Sequence, residues 1–253
     1  MNKRVGGLCV LMLLSATSMA QAQLNKAQRK EAKAMLSGTL YTRVDVPCGT
    51  GRHPMGTYKV PLVEVSPDGV NTEKEGGFQA GWYHAQSTYW GIGPNDTLQL
   101  DEMEFDEDTA EIELEGIGRT EGNDTVIKFV NIRSLDDFKK AVDRAFSRVP
   151  LQDEHPDWPA EVKKAISERR LMKGMNKRQA FYVLGSPESV RETEEKGKKV
   201  EVWTLRQNKG VKIGFWSVSA DAPAAGMPKT IRFVDGQLED FEANATGGLN
   251  LDD

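Results

Sequence analysis

Gly174-Met175-Asn176-Lys177-Arg178-Gln179-Ala180-Phe181-Tyr182-Val183-Leu184-Gly185-Ser186-Pro187 reads as a short helix with both ends written into it. Asn176 is a good N-cap. Gln179 sits three residues on, where its side chain can reach back and close a capping box. Gly185 can take the left-handed conformation that ends a helix, and Pro187 prevents continuation. This unit sets the architecture of the last third of the chain, but it does not name a reaction.

Working outward, Pro159 opens a preceding helix at its first position, with Val162, Ala165 and Ile166 as its apolar stripe. That helix is predicted to run to Gly174, so the two form a tight helical hairpin. After Pro187 the apolar period changes to two. Val190 to Thr193 is a strand, and Glu194 to Lys198 is a charged turn around Gly197. Val200, Val202, Thr204 and Arg206 then alternate with Glu201, Trp203 and Leu205, and Trp203 reads as core. Val211 to Trp216, Ile231 to Val234 and Leu238 to Phe241 are further strands, the last two joined by Asp235-Gly236. The unit is two helices followed by a three- or four-stranded antiparallel sheet.

Upstream, Asn25 to Leu36 has helix-forming composition and reads as a short helix or a frayed lead-in. Leu40, Thr42, Val44 and Val46 alternate with polar residues as a half-buried strand, and Val60 to Val65 is another, closed by Ser66-Pro67-Asp68-Gly69. Residues 76–95, rich in glycine and aromatics, read as loops or bent strands. Leu98, Leu100, Met103 and Phe105 are paired through a turn at Asp106–Thr109 with Ile112 and Leu114. A slip at Asp101-Glu102 marks a bulge. Val126 to Val130 adds a strand. This order of short strands predicts a small antiparallel barrel or sandwich. Ser134 caps a helix over Leu135–Arg148 with Phe138, Val142, Ala145, Phe146 and Val149 on one face. The fold class is therefore α+β. Residues 1–22 are a signal peptide and 23–149 a β-rich domain ending in a helix. Residues 150–158 are a linker, 159–242 the helix-and-sheet domain and 243–253 a disordered tail.

Lys3 and Arg4 precede the apolar run Leu8–Leu14, and Ala20-Gln21-Ala22 supplies small residues for cleavage. No segment approaches the roughly 20 apolar residues of a membrane span. Cys9 leaves with the leader and lacks a lipobox, so Cys48 is the single thiol of the mature chain and an internal disulfide is excluded. The leader is basic, so its removal makes the formal charge of −5 more negative. A net acidic chain is a poor match for nucleic acid or an anionic membrane surface.

Several spaced motifs then agree in order. Gly174-Met175-Asn176-Lys177-Arg178-Gln179 is followed by Leu184-Gly185-Ser186-Pro187, Glu201-Val202-Trp203 and Phe233-Val234-Asp235-Gly236-Gln237-Leu238. Over roughly residues 155–242 this resembles the outer-membrane assembly factor BamE (SmpA/OmlA) domain family. The resemblance implies a helical hairpin packed on a three- or four-stranded antiparallel sheet, a fold shared with a secreted β-lactamase inhibitor protein. It also implies an envelope location. The matched motifs are structural, so no partner-binding residue carries over, and the chain departs from the family in lacking a lipobox and in its long N-terminal extension.

Cys48-Gly49-Thr50-Gly51-Arg52-His53 holds a thiol near an imidazole, with Arg52 favouring the thiolate. The alternative is a conformationally demanding loop with one inert thiol. Nine carboxylates fall in the fifteen residues Asp101–Glu115, which suit either a hard cation or the solvated face of a hairpin. His53, His84 and His155 lack zinc spacing. Trp82, Tyr83, Tyr89 and Trp90 read either as barrel core or as an exposed patch for a protein or glycan partner. No cofactor and no metal is expected. The leading expectation is a periplasmic, non-enzymatic interaction protein with an envelope protein partner and with membrane association only through that partner. It would serve outer-membrane protein assembly or envelope maintenance. The alternatives are an inhibitor-like binder of a secreted enzyme and a thiol enzyme using Cys48, Arg52 and His53.

Overall fold

A computed structural model describes residues 24–53, 56–60, 63–71, 85–205, 212–213, 216–217 and 228–241. Residues 1–22, read above as a leader, Trp82, Tyr83 and residues 243–253 lie outside the described residues.

The N-terminal unit starts with helix α1 (Lys26–Met35), where the Asn25 side chain and Gln28 form a reciprocal capping box. Leu24, Ala32 and Leu36 are buried, so this is a packed helix and not a lead-in. The following strands are β1 (Leu40–Thr42), β2 (Val46–His53), β3 (Gly56–Val60), β4 (Val63–Val65), β5 (Val70–Asn71) and β6 (Ala85–Ile92). Next come β7 (Thr97–Asp106), β8 (Thr109–Ile117), β9 (Thr125–Phe129), helix α2 (Leu135–Ala145) and β10 (Phe146–Ser147).

A curled seven-stranded sheet runs β10-β1-β7-β8-β9-β4-β5, and a separate three-stranded sheet runs β3-β2-β6. The hairpin β7–β8 has the expected bulge, with the register shifting between Leu100 and Glu102. The all-antiparallel expectation fails at one place. β4 pairs with β9 in parallel, Val63 with Ile127 and Val65 with Phe129, and these four side chains are fully buried. The half-buried alternation Val63-Glu64-Val65 is the same in either kind of ladder, so it carries no sign of strand direction.

Three other expectations are corrected. The single strand read over Leu40–Val46 breaks at residues 43–45, and β2 begins at Val46. Residues Cys48–His53, whose alternative reading is a loop, belong to β2, whereas β6 agrees with the bent-strand reading of part of 76–95. The helix expected to reach Arg148 stops at Ala145. Phe146 instead pairs with Thr42 across β10 and β1 and is 3 % exposed, whereas Val149, expected on the buried face, is 45 % exposed. A strand serves the Phe146 ring as well as a helix does, and the ladder to β1 satisfies its backbone. Phe105, Phe129, Phe138 and Phe146 pack in series at ring distances of 5.4–6.5 Å.

The C-terminal unit contains helices α3 (Ala160–Ser167) and α4 (Lys177–Leu184), then β11 (Ser189–Glu195), β12 (Lys198–Thr204), the pair β13 (Lys212–Ile213) and β14 (Trp216–Ser217), β15 (Thr230–Val234) and β16 (Gln237–Phe241). Pro159 is the N-cap of α3, one place before the position expected, and α3 ends at Ser167 with Glu168 as its C-cap, well short of Gly174. The start of α4 is as the sequence reads, and its end falls at Gly185 but in another conformation. Asn176 Oδ1 accepts from the Gln179 N–H at 2.9 Å, and Gln179 Oε1 accepts from the Asn176 N–H at 2.8 Å. Gly185 has φ 80 and ψ −164, a mirror-extended conformation open essentially only to glycine, and not the left-handed helical one.

The four-stranded sheet is antiparallel in the order β11-β12-β15-β16. Val211–Trp216 is not one strand of it, because β13 and β14 pair with each other. Leu151, Ile166, Met175, Val183, Trp203, Ile231, Phe233 and Leu238 make a second core shared by α3, α4 and three strands. Trp203 is buried, with its ring 4.9 Å from Phe233.

Candidate functional site

Two corners of the N-terminal unit meet. The Thr42 N–H donates to Asp96 O at 2.9 Å, the Asn95 N–H donates to Thr42 O at 2.7 Å, and the Thr42 hydroxyl donates to Gly93 O. The turn Gly93-Pro94-Asn95-Asp96 brings the Gly93 N–H to Asp96 Oδ2 at 2.8 Å, with Asn95 held at φ 67. Asparagine tolerates that conformation better than most side chains.

The Asp96 carboxylate, 3 % exposed, is the hub of the junction between the units. Arg119 donates to it through Nε at 2.9 Å and also through Nη2. Arg169 Nη2 crosses from the C-terminal unit to Asp96 Oδ1 at 2.6 Å. Its Nη1 donates to the Tyr182 and Val183 carbonyls at 3.1 and 3.2 Å. Those carbonyls close α4, where unpaired acceptors and the negative end of the helix dipole favour a cation. Burial lowers the Arg169 pKa, while Asp96 works against that shift. Beside it, Asp45 Oδ2 accepts from the Ser186 N–H at 2.6 Å.

A second set of bonds fixes residues 150–158, which read as a linker. Leu151–Glu154 is a 3-10 helix, and its Leu151 N–H donates to Asn95 Oδ1 at 2.9 Å. Asn95 Nδ2 donates to buried Gln152 at 2.8 Å. Arg43 grips Glu154 with two bonds of 2.6 and 2.5 Å, and Ser147 Oγ adds one of 2.6 Å. This segment is a polar clasp whose leucine enters the second core.

Burial opposes ionisation of Glu154, but hydrogen bonds from Arg43 and Ser147 and the charge of Arg43 together hold its carboxyl below the ordinary range. A carboxyl with a lowered folded-state pKa stabilises the fold above its unfolded pKa, and that contribution is lost as pH falls through the folded value. The native protein is therefore expected to lose stability with acid from about pH 4.5 downward. Glu154→Gln should lose less over the same interval, as read from denaturant midpoints at stepped pH.

Both oxygens of Asp96 and both of Glu154 are taken by donors, so neither is free to act as a general base. Next to the clasp, the His155 ring stacks on Trp158 at 4.0 Å and 11°, and His155 Nε2 lies 3.3 Å from Tyr182 Oη. His155 and Trp158 are half-buried and form an aromatic step on the surface. Burial raises the Tyr182 pKa.

The sequence candidates lie elsewhere. Cys48, Arg52 and His53 are all on β2, with Cys48 the register partner of Tyr89 on β6. Cys48 and His53 are five positions apart on one strand, roughly 16 Å along its axis. Tyr89 and Trp90 are on β6, and Trp82 and Tyr83 are outside the described residues. The acidic run is a hairpin in which Glu102 faces Glu113 and Glu104 faces Glu111. Among the described residues no group of three or more His, Cys, Asp or Glu is placed to hold a metal. Asp45, Asn95, Asp96, Arg119, Glu154 and Arg169 were not singled out from sequence. Arg169 and Asp96 are separated by 73 residues, and neither belongs to a motif. The chain matches no protein-family model, no curated protein and no solved structure.

Proposed function

We propose that the protein is an envelope-located, periplasmic interaction protein that works through its surfaces without turnover. Its C-terminal unit would be a BamE-like module serving outer-membrane protein assembly or envelope maintenance. The observation that carries the reading is the use made of the buried charge. Asp96, Arg169, Glu154 and Arg43 are spent on fixing two units to each other. The order of α3, α4 and four antiparallel strands, with Trp203 buried on Phe233, is compatible with the family resemblance. No helix among the described residues is long and apolar enough to cross a membrane, and the proposed membrane contact runs through a partner.

Crosslinking in intact cells followed by affinity capture is expected to recover a component of the outer-membrane assembly machinery. Capture of a secreted hydrolase alone, in a one-to-one complex, would favour the inhibitor-like alternative. Recovery of neither would overturn the binding-module reading.

A further inference from the structure

The two edges of the C-terminal sheet are finished differently. At β16 the Gly174 N–H donates to Leu238 O at 2.8 Å and the Leu238 N–H donates to Met175 O at 2.7 Å, so the approach to α4 covers that edge. At the other edge is β11, and among the described residues nothing pairs with its outer side. All seven of its residues are exposed, including Val190 at 47 %. It contains no proline, and it pairs with β12 without a slip from Ser189–Thr204 to Glu195–Lys198.

The register identifies the free backbone groups. Glu195 faces Lys198 across a two-residue turn, with Lys196 at φ 53 and Gly197 at φ 77, the type I′ geometry. Such a turn closes on a mutually hydrogen-bonded pair, and bonded pairs then alternate. Ser189, Arg191, Thr193 and Glu195 therefore bond to β12, while the N–H and C=O groups of Val190, Glu192 and Glu194 point away from the sheet.

The charges decide what fits there. Glu192 lies opposite Glu201, which is already matched by Lys177 at 2.7 Å, so Glu192 meets a like charge. Two copies of β11 paired antiparallel about Glu192 would set Glu192 on itself and Val190 on Glu194. Within the sheet Glu194 faces Lys199, so Glu192 is the acid left beside a like charge. An incoming strand with a basic side chain opposite Glu192, a second opposite Glu194 and an apolar one opposite Val190 avoids both of those self-pairings. We propose that β11 accepts, by antiparallel strand addition, an extended segment of a partner protein bearing that basic, basic, apolar alternation. The proposal rests on the binding-module reading and names the surface used.

The probe is the peptide acetyl-Thr-Lys-Thr-Lys-Thr-Ile-Thr-amide, matched in length to the seven residues of β11. It is expected to bind the full chain and to slow amide exchange at Val190, Glu192 and Glu194. A sequence-scrambled peptide should bind far more weakly. Glu192→Pro removes one outward N–H and leaves the bonds to β12, so it should weaken binding about tenfold or more with the melting temperature little changed.

Unaltered binding to Glu192→Pro, no binding by the native chain at millimolar peptide, or exchange protection elsewhere would overturn the proposal. So would a concentration-dependent dimer abolished by Glu192→Pro, which would give the edge to a second copy. If Glu192→Pro fails to fold, amide protection in the native chain decides alone. Failure of the peptide while cellular capture still yields a partner sinks this surface and not the binding-module reading.

Discussion

Asp96→Ala is expected to lower the unfolding free energy by about 3 kcal/mol, the range for removing one partner of a buried ion pair. For a chain of this size that is a fall of roughly 10 °C in melting temperature. The Asp96 side chain is 3 % exposed and that of Arg169 25 %, so the guanidinium left behind is largely cut off from water. The substitution also orphans the Gly93 N–H. Arg119→Ala removes a partner of the same carboxylate, but the Arg119 side chain is 59 % exposed, and the loss should stay within about 1 kcal/mol. Denaturant titration followed by tryptophan fluorescence measures both. Equal losses would mean that Arg169 contributes no more than a surface charge. Asp96→Ala should also make residues 145–155 more open to limited proteolysis, because the clasp and the Arg169 contact share one loop corner.

Gly185→Ala is expected to cost about 3 kcal/mol or more, from two sources that act together. A non-glycine residue at this φ and ψ is strained by about 1–3 kcal/mol. The added Cβ would also run into the Asp45 carboxylate, lying 3.1 Å from its Cγ and closer still to Oδ1. That carboxylate is held by the Ser186 N–H and cannot withdraw without breaking the bond. Gly197→Ala is the control, since Gly197 has φ 77 but nothing within 4 Å of an added Cβ, and about 1 kcal/mol is expected. Combining Gly185→Ala with Asp45→Ala should cost less than the sum of the two, because the second change removes the obstacle to the first. Additive losses would show that the approach of Asp45 to Gly185 carries no energy.

The legible parts of this fold share one property. Asn176 and Gln179 are three residues apart, Lys196-Gly197 and Asp235-Gly236 are two-residue turns, and the bulge after Leu100 interrupts an alternation visible in one strand. The illegible parts lack that closeness. Phe146 satisfies a helical stripe as well as a strand, and only the vacant edge of β1 decides between them. β4 and β9 carry no sign of parallel pairing. Residues 150–158 look polar and proline-rich, so the burial of Leu151 and Gln152 is invisible until Asn95 is brought beside them.

By itself the sequence determined the short helix with its two ends, the α+β class and the antiparallel hairpins, because caps, turns and periodicity act between neighbours along the chain. Tertiary structure alone decided that the two units are clasped together and that Asp96 lies between two arginines. It also decided which edge of the C-terminal sheet is left unpaired among the described residues. In sequence a buried Asp or Arg is indistinguishable from a solvated one, and its partner, tens of residues away, is selected only when the packed cores fix where each element ends.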